Sequence, residues 1–107
     1  MLKADVIAFA TPVYFYEMSG QMKTKLDRTN PLFPSDYAFR DIYLLATAAD
    51  DQTDSMDGAI KGLEGWIRCF EKTRLKGVLR GLGIDGLGAA AKARELVESA
   101  YVMGKNA

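Results

Sequence analysis

The sequence predicts an α/β fold in which a parallel sheet is packed against helices. Continuous apolar runs, typical of strands covered on both faces, recur along the chain, and amphipathic helical patterns follow them. Strands that alternate with helices favour a parallel sheet with right-handed crossovers. The chain has 107 residues, of which 49% are apolar, enough for one core but too few for two. We therefore expect a single domain over residues 1–107, built from three consecutive βα units.

The first βα unit begins with the apolar run Val6–Ala10, which Pro12 is expected to end. Ser19 is a suitable N-cap for the helix that follows. Met22 and Leu26, at positions i and i+4, place an apolar stripe on this helix. The segment therefore predicts a strand, a connecting loop and a short capped helix.

The second and third units follow the same order. A buried strand is expected over residues 41–47 and an amphipathic helix over roughly residues 57–73. The apolar stripe of this helix consists of Ile60, Leu63, Ile67 and Phe70. A weaker, glycine-interrupted strand over residues 76–82 and a helix over residues 89–103 complete the prediction. The apolar face of the last helix holds Ala93, Leu96, Val97 and Ala100.

Charge and composition exclude several classes of function. Fourteen Lys and Arg balance fourteen Asp and Glu, so we expect neither nucleic acid nor a membrane as partner. The sequence shows no long apolar segment of a secretory signal, and the single Cys69 can form no intrachain disulfide, which favours a cytoplasmic location. The chain has no histidine, so Ser-His and Cys-His nucleophiles and histidine metal ligands are excluded. Any chemistry must come from other groups or from a cofactor.

An aromatic segment, Tyr14-Phe15-Tyr16, lies between the first predicted strand and the first helix. Parallel sheets bind ligands at the carboxyl ends of their strands, which is where this segment is expected. Its rings could flank a planar ligand, with hydrogen bonds from Ser19 and Gly20 at the helix N-terminus. From these residues alone, ordinary loop or interface aromatics are the simpler explanation.

Other motifs have simple structural explanations. The run Gly81–Gly86 fits G-x-G-x-x-G, but no later strand and no suitably spaced acidic residue follows it, so we interpret it as a glycine-rich turn. The acidic cluster over residues 50–57 lacks the glycine of a calcium loop, and Asp54 or Asp57 as a helix N-cap explains it. Basic residues outnumber acidic ones between Lys61 and Arg80, which fits a solvated face or, alternatively, a weak nucleotide-phosphate site.

The stretch "ADVIAFATPVYFYEMSGQMKTKLDR" resembles the central signature of the NAD(P)H-dependent FMN reductase and iron-sulfur flavoprotein group. That group has a flavodoxin-like fold and typically carries a strand, T-P-x-Y, an aromatic loop, S-G-x-x-K and a helix that ends in D-R. The matching positions are Thr11, Pro12, Tyr14, Ser19, Gly20, Lys23, Asp27 and Arg28. Weaker similarity continues through the later strands and the final helix.

The resemblance implies a three-layer flavodoxin-like sheet, truncated to about three βα units because the first two strands and the phosphate loop of the family are missing. It implies FMN as cofactor, bound weakly or not at all by this chain, and NAD(P)H as electron donor. The residues that would line the flavin ring are Pro12, Val13, Tyr14, Phe15, Ser19, Thr47, Ala48 and Ala49. No catalytic side chain is implied, because the flavin performs the redox chemistry.

Three hypotheses follow from the resemblance. The chain is an FMN-dependent NAD(P)H oxidoreductase, or it is a non-catalytic oligomerising domain that has lost the cofactor, or a longer native protein carries the missing part. Without the first two strands of the family, the edge Val6–Ala10 is uncovered, and an exposed apolar edge invites another strand. We therefore expect a homodimer or higher homo-oligomer that forms through this edge.

Overall fold

A four-stranded sheet forms the centre of the computed structural model, which describes residues 1–107. The strands are β1 (Val6–Tyr14), β2 (Glu17–Met18), β3 (Asp41–Thr47) and β4 (Arg74–Gly81), in the spatial order β2-β1-β3-β4. The helices are α1 (Gly20–Arg28), α2 (Asp57–Cys69), α3 (Ala89–Lys92) and α4 (Arg94–Lys105), with short 3-10 turns at Asn30–Leu32 and Thr53–Met56. Strands β1, β3 and β4 are parallel, and the short β2 is antiparallel to β1. The carboxyl ends of the three parallel strands therefore meet at one edge of the sheet.

Strand β1 is longer than the sequence indicates. It continues through Pro12 to Tyr14, so the expectation that Pro12 ends the strand was wrong. Proline cannot donate a ladder hydrogen bond and is tolerated at strand edges. At Pro12 the strand pairs on one side only, with Thr47 of β3, because β2 joins β1 only at Val13 and Tyr14. The missing N–H therefore interrupts no second ladder.

The core lies on one face of the sheet, beneath α1 and α2. The largest apolar side chains that are less than 2% exposed are Phe39, Ile42, Leu44, Met56 and Leu63. Helix α2 ends at Cys69, earlier than predicted, because Phe70 leaves the helical conformation and turns its ring into this core. The ring centroid of Phe70 lies 4.4 Å from that of Trp66, and Phe39 stacks on Trp66 at 5.9 Å. An aromatic cluster thus fixes α2 to the sheet.

The opposite face of the sheet is covered more loosely. Helix α4 lies on it but has no buried residue, and the predicted helix over residues 89–103 is broken at Ala93, whose ψ of 84° is not helical. Val97, predicted to lie on the apolar face of this helix, is 50% exposed. Ala8 and Ala10 of β1 are exposed on the same face, because alternate residues of a strand point to the same side. None of the helices has both the length and the apolar character needed to cross a membrane.

An ion-pair cluster lies at the amino end of the sheet, opposite the carboxyl ends of the strands. Asp41, the first residue of β3, accepts hydrogen bonds from Arg74 Nε at 2.9 Å and from Lys76 Nζ at 3.4 Å. The hydrogen bond from Arg74 is the main cause that lowers the pKa of the Asp41 carboxyl below its ordinary value, with Lys76 acting in the same direction and desolvation opposing both. The ionised Asp41 carboxylate therefore links the first residue of β3 to the first residue of β4, Arg74.

The Asp41 cluster predicts a pH-dependent contribution to stability. Because the pKa is lower in the folded state, the contribution is present above the unfolded value, about 3.9, and is lost as the pH falls through the folded value. We expect Asp41→Asn to lower the melting temperature near neutral pH and to have little effect in strong acid. Asp36→Asn, which removes a fully exposed carboxylate 3.8 Å from Lys72, is the matched control. A difference between wild type and Asp41→Asn that does not change with pH would contradict the prediction.

Candidate functional site

A tight hairpin joins β1 to β2, and its two-residue turn consists of Phe15 and Tyr16. Both residues have positive φ angles, 51° and 66°, as the turns that suit tight hairpins require. This left-handed region costs a non-glycine residue about 1–2 kcal/mol. Phe15 is 98% exposed, and Tyr14 and Tyr16 are 59% and 61% exposed. The strained hairpin thus presents three aromatic side chains at the carboxyl end of β1.

Hydrogen bonds close the base of this hairpin. The backbone N–H of Ser19 donates to Thr11 Oγ1 at 2.9 Å, and the Thr11 hydroxyl donates to the carbonyl of Pro12 at 2.7 Å. Ser19 Oγ accepts from the backbone N–H of Met22 at 3.2 Å, so Ser19 is the N-cap of α1 as the sequence predicts. Both Thr11 and Ser19 are buried. Their polar atoms therefore fix the position of the hairpin relative to α1.

The first turn of α2 supports the hairpin from behind. A Cβ at Gly58 would lie 2.3 Å from the carbonyl oxygen of Tyr16, so the two backbones approach too closely for any side chain. One turn later, a Cβ at Gly62 would lie 2.8 Å from Cε of Met18. This contact was not predicted; the spacing of Gly58 and Gly62 on one helix is the sequence signal that indicates a close approach to α2.

The second predicted segment, Thr47–Ala49, lies beside the base of the hairpin. Thr47 is the register partner of Pro12 in the parallel ladder. The backbone N–H of Ala48 donates to the carbonyl of Gly81 at 2.9 Å, and the carbonyl of Ala48 accepts from the N–H of Ile84 at 2.8 Å. The segment is therefore tied by its backbone to the end of β4.

The predicted site residues differ in how accessible they are to a ligand. Those that are exposed are Pro12, Tyr14, Phe15 and Ala49. Val13 and Thr47 are half-buried, and Val13 packs against the core. Ser19 and Ala48 are buried. Pro12 thus pairs with Thr47 and shares an exposed surface with Tyr14, while Ser19 and Ala48 support the structure around them.

Two cavities flank the carboxyl end of β1. One, of about 460 Å³, lies between the sheet and α4 and is lined by Thr11, Pro12 and Thr47 together with apolar side chains of the helices. The other, of about 510 Å³, lies at the open edge of β1 and is lined by Pro12, Tyr14 and Ser19 among others. Both volumes fall in the range of small-molecule sites, roughly 300–1,000 Å³. The cavity between the sheet and α4 is mainly apolar with a few polar atoms, which suits a flat, mainly apolar ring.

The sequence profile of NADPH-dependent FMN reductases matches residues 1–62 of this chain. The chain belongs to the FMN reductase family. The matched region extends from β1 into α2, so it includes the aromatic hairpin, Thr47–Ala49 and Gly58. The family predicted from the central signature is thereby confirmed.

The fold of this FMN reductase family member is similar to that of a solved structure, the Trp repressor binding protein from Bacillus subtilis. The TM-score is 0.77 and the sequence identity is 24%. The similarity covers 94% of this chain and 68% of that chain. Curated proteins provide no match. The predicted flavodoxin-like α/β fold is confirmed.

The contact between Gly58 and the hairpin predicts opposite effects for two glycine substitutions in α2. Gly58→Ala should lower the free energy of unfolding by about 1–3 kcal/mol, because its Cβ overlaps a backbone carbonyl that cannot rotate away. Gly65→Ala meets no atom within 4 Å and should raise it by about 0.5–1 kcal/mol. Urea unfolding followed by circular dichroism measures both. An equal gain in stability from the two variants would show that α2 does not support the hairpin.

Proposed function

We propose that this member of the FMN reductase family binds the isoalloxazine ring of FMN at the carboxyl ends of β1 and β3 and takes part in NAD(P)H-dependent electron transfer. The observation that supports this most is the hairpin, in which Phe15 and Tyr16 have positive φ angles and exposed rings. Backbone strain persists only where the surrounding structure holds it, and it is concentrated at ligand sites. This hairpin lies in the segment that the family profile matches.

Each accessible residue has a role in this proposal. Pro12 and Tyr14 offer apolar surface to the ring, and Thr47, beside Pro12, offers a hydroxyl to its polar edge. Ser19 and Ala48 act indirectly, since one caps α1 and the other ties its loop to β4. A bound flavin supplies the redox chemistry, and the chain orients the ring and shields one of its faces from water.

The flavin proposal predicts that Tyr14 contributes to FMN affinity. We expect Tyr14→Ala to weaken binding by about 2- to 10-fold, the equivalent of one aromatic stacking contact. Titration of FMN fluorescence with the purified chain measures the affinity. Tyr101→Ala is the matched control, because Tyr101 is 66% exposed on α4 and lies apart from the strand ends. If the wild-type chain leaves FMN fluorescence unchanged at tens of micromolar, the flavin proposal fails and the non-catalytic hypothesis is favoured.

We also propose that copies of this chain associate through the open edge of β1. Val6, Ala8 and Ala10 are exposed, and no strand pairs with this side of β1 before Val13. An unpaired apolar edge of this length is a template for another strand. A second copy offers the same edge, so pairing of two copies would satisfy both.

The edge proposal predicts a change of assembly state from one charge. Ala8→Lys places an ammonium group beside the open edge and should convert a dimer or larger oligomer into a monomer. Sedimentation velocity at micromolar concentration measures the state. Thr24→Lys adds the same charge on the exposed surface of α1 and should leave the assembly unchanged. A monomeric wild-type chain would contradict the proposal.

A further inference from the structure

A third cavity beside the sheet lies at the carboxyl end of β4, two strands from the aromatic hairpin. Its volume is about 670 Å³, within the usual range for small-molecule sites. One wall consists of Leu79–Leu82 and Ile84, and the other consists of Lys92–Leu96 and Ser99. The cavity therefore lies between the end of the last strand and the start of α4.

The lining of this cavity is basic, although the chain as a whole has no net charge. Arg80, Lys92 and Arg94 contribute cationic groups, and Glu95 is the one acidic residue among the lining residues. Arg80 is partly engaged, because its Nη1 lies 3.2 Å from the carbonyl of Thr53 and 3.4 Å from a carboxylate oxygen of Asp57. Lys92 and Arg94 take part in no salt bridge. Two unmatched cations thus border one cavity, which favours an anion.

The lining also has an apolar part. Leu79, Leu82, Ile84 and Leu96 line the same space as the cations. The acidic residues of the adjoining loops, Asp51 and Asp85, are not among the lining residues. A ligand that combines an anionic group with a flat apolar group, such as a nucleoside phosphate, matches this combination.

The cavity is connected to the proposed flavin site through the backbone. Gly81 and Ile84, which line the cavity, exchange hydrogen bonds with Ala48, at 2.9 Å and 2.8 Å. Gly83 donates from its N–H to the carbonyl of Asp50 at 3.0 Å. A ligand in the cavity and a ring near Thr47 would therefore lie on either side of one hydrogen-bonded loop. A dinucleotide consists of two linked nucleotides, so its two ends match these two positions.

We propose that this cavity binds the 2′-phosphoadenosine end of NADPH, with Lys92 and Arg94 at the 2′-phosphate. The inference rests on the proposed function, since it locates the electron donor next to the flavin site. A phosphate monoester carries nearly two negative charges at neutral pH, which two cations balance. NADH has a hydroxyl in this position, so the same two residues select NADPH. The Gly81–Gly86 run contributes Leu82 and Ile84 as cavity walls rather than a phosphate-binding helix N-terminus, because α3 begins only at Ala89.

Binding of 2′,5′-ADP, compared with 5′-AMP, tests the inference on the full chain without FMN. The two probes differ in the 2′-phosphate, and neither contains nicotinamide or flavin. We expect 2′,5′-ADP to bind about tenfold or more tightly than 5′-AMP at low salt. The double variant Lys92→Ala/Arg94→Ala should abolish this difference. Lys61→Ala/Lys105→Ala removes the same charge from exposed positions outside the cavity and should preserve it.

Chemical-shift changes in ¹H–¹⁵N spectra locate the bound probe. We expect them over Gly81–Ile84 and Lys92–Leu96. Equal affinity of the two probes for wild type, shift changes confined to other segments, or a preference that survives in Lys92→Ala/Arg94→Ala would each overturn the inference. Melting curves show whether the double variant is folded, and Lys92→Arg/Arg94→Lys, which keeps both charges, must retain the preference.

The outcomes of the two proposals are separate. If 2′,5′-ADP binds as expected and FMN does not bind, the cavity assignment holds and the flavin proposal fails. If FMN binds and the two adenosine probes cannot be distinguished, the cavity assignment alone fails.

Discussion

Packing of α2 against one face of the sheet is the interaction on which the rest of the structure depends. Leu44 of β3 and Leu63 of α2 are fully buried, and Trp66 stacks on Phe39. These contacts fix the helix axis, so the first turn of α2 has a fixed place behind the hairpin, where Gly58 meets the backbone of the turn. The rigidity of a close-packed core is thereby transmitted to the end of β1. The position of the aromatic rings is a consequence of this packing.

The strain of the hairpin is held by contacts on both of its sides. Positive φ at Phe15 and Tyr16 costs about 1–2 kcal/mol per residue, whereas one buried hydrogen bond contributes about 0.5–1.5 kcal/mol. The hydrogen bond between Ser19 and Thr11 therefore cannot hold the turn alone; the β1–β2 pairing and the close approach of α2 at Gly58 also hold it. Glycines in the turn would relieve the strain but remove both rings. The sequence has aromatic residues there, so the segment provides exposed rings at the cost of a strained backbone turn.

The sequence indicates the parts of this fold that depend on local patterns. The continuous apolar run predicts β3 with its observed bounds, Asp41–Thr47, and the residue type at Ser19 predicts the cap of α1. The extension of β1 past Pro12 could not be predicted, because it depends on which side of the strand is paired. Aromatic side chains argue against positive φ, so the turn at Phe15 contradicts local preference. The glycine spacing on α2 indicates a close approach to that helix, but the segment that approaches Gly58 is distant in the sequence, so no local pattern identifies it.

The two open features of the molecule, the edge of β1 and the strand-end surface, share the residues Ala10 and Pro12. Pro12 lines the cavity at the open edge and also the cavity between the sheet and α4. Any strand that pairs along Val6–Ala10 therefore forms a wall of the cavity that Tyr14 lines. If two copies pair there, a ligand bound beside Tyr14 contacts both, and association and ligand binding become linked equilibria. Linkage is reciprocal, so a ligand that binds the paired form more tightly must strengthen pairing by the same factor.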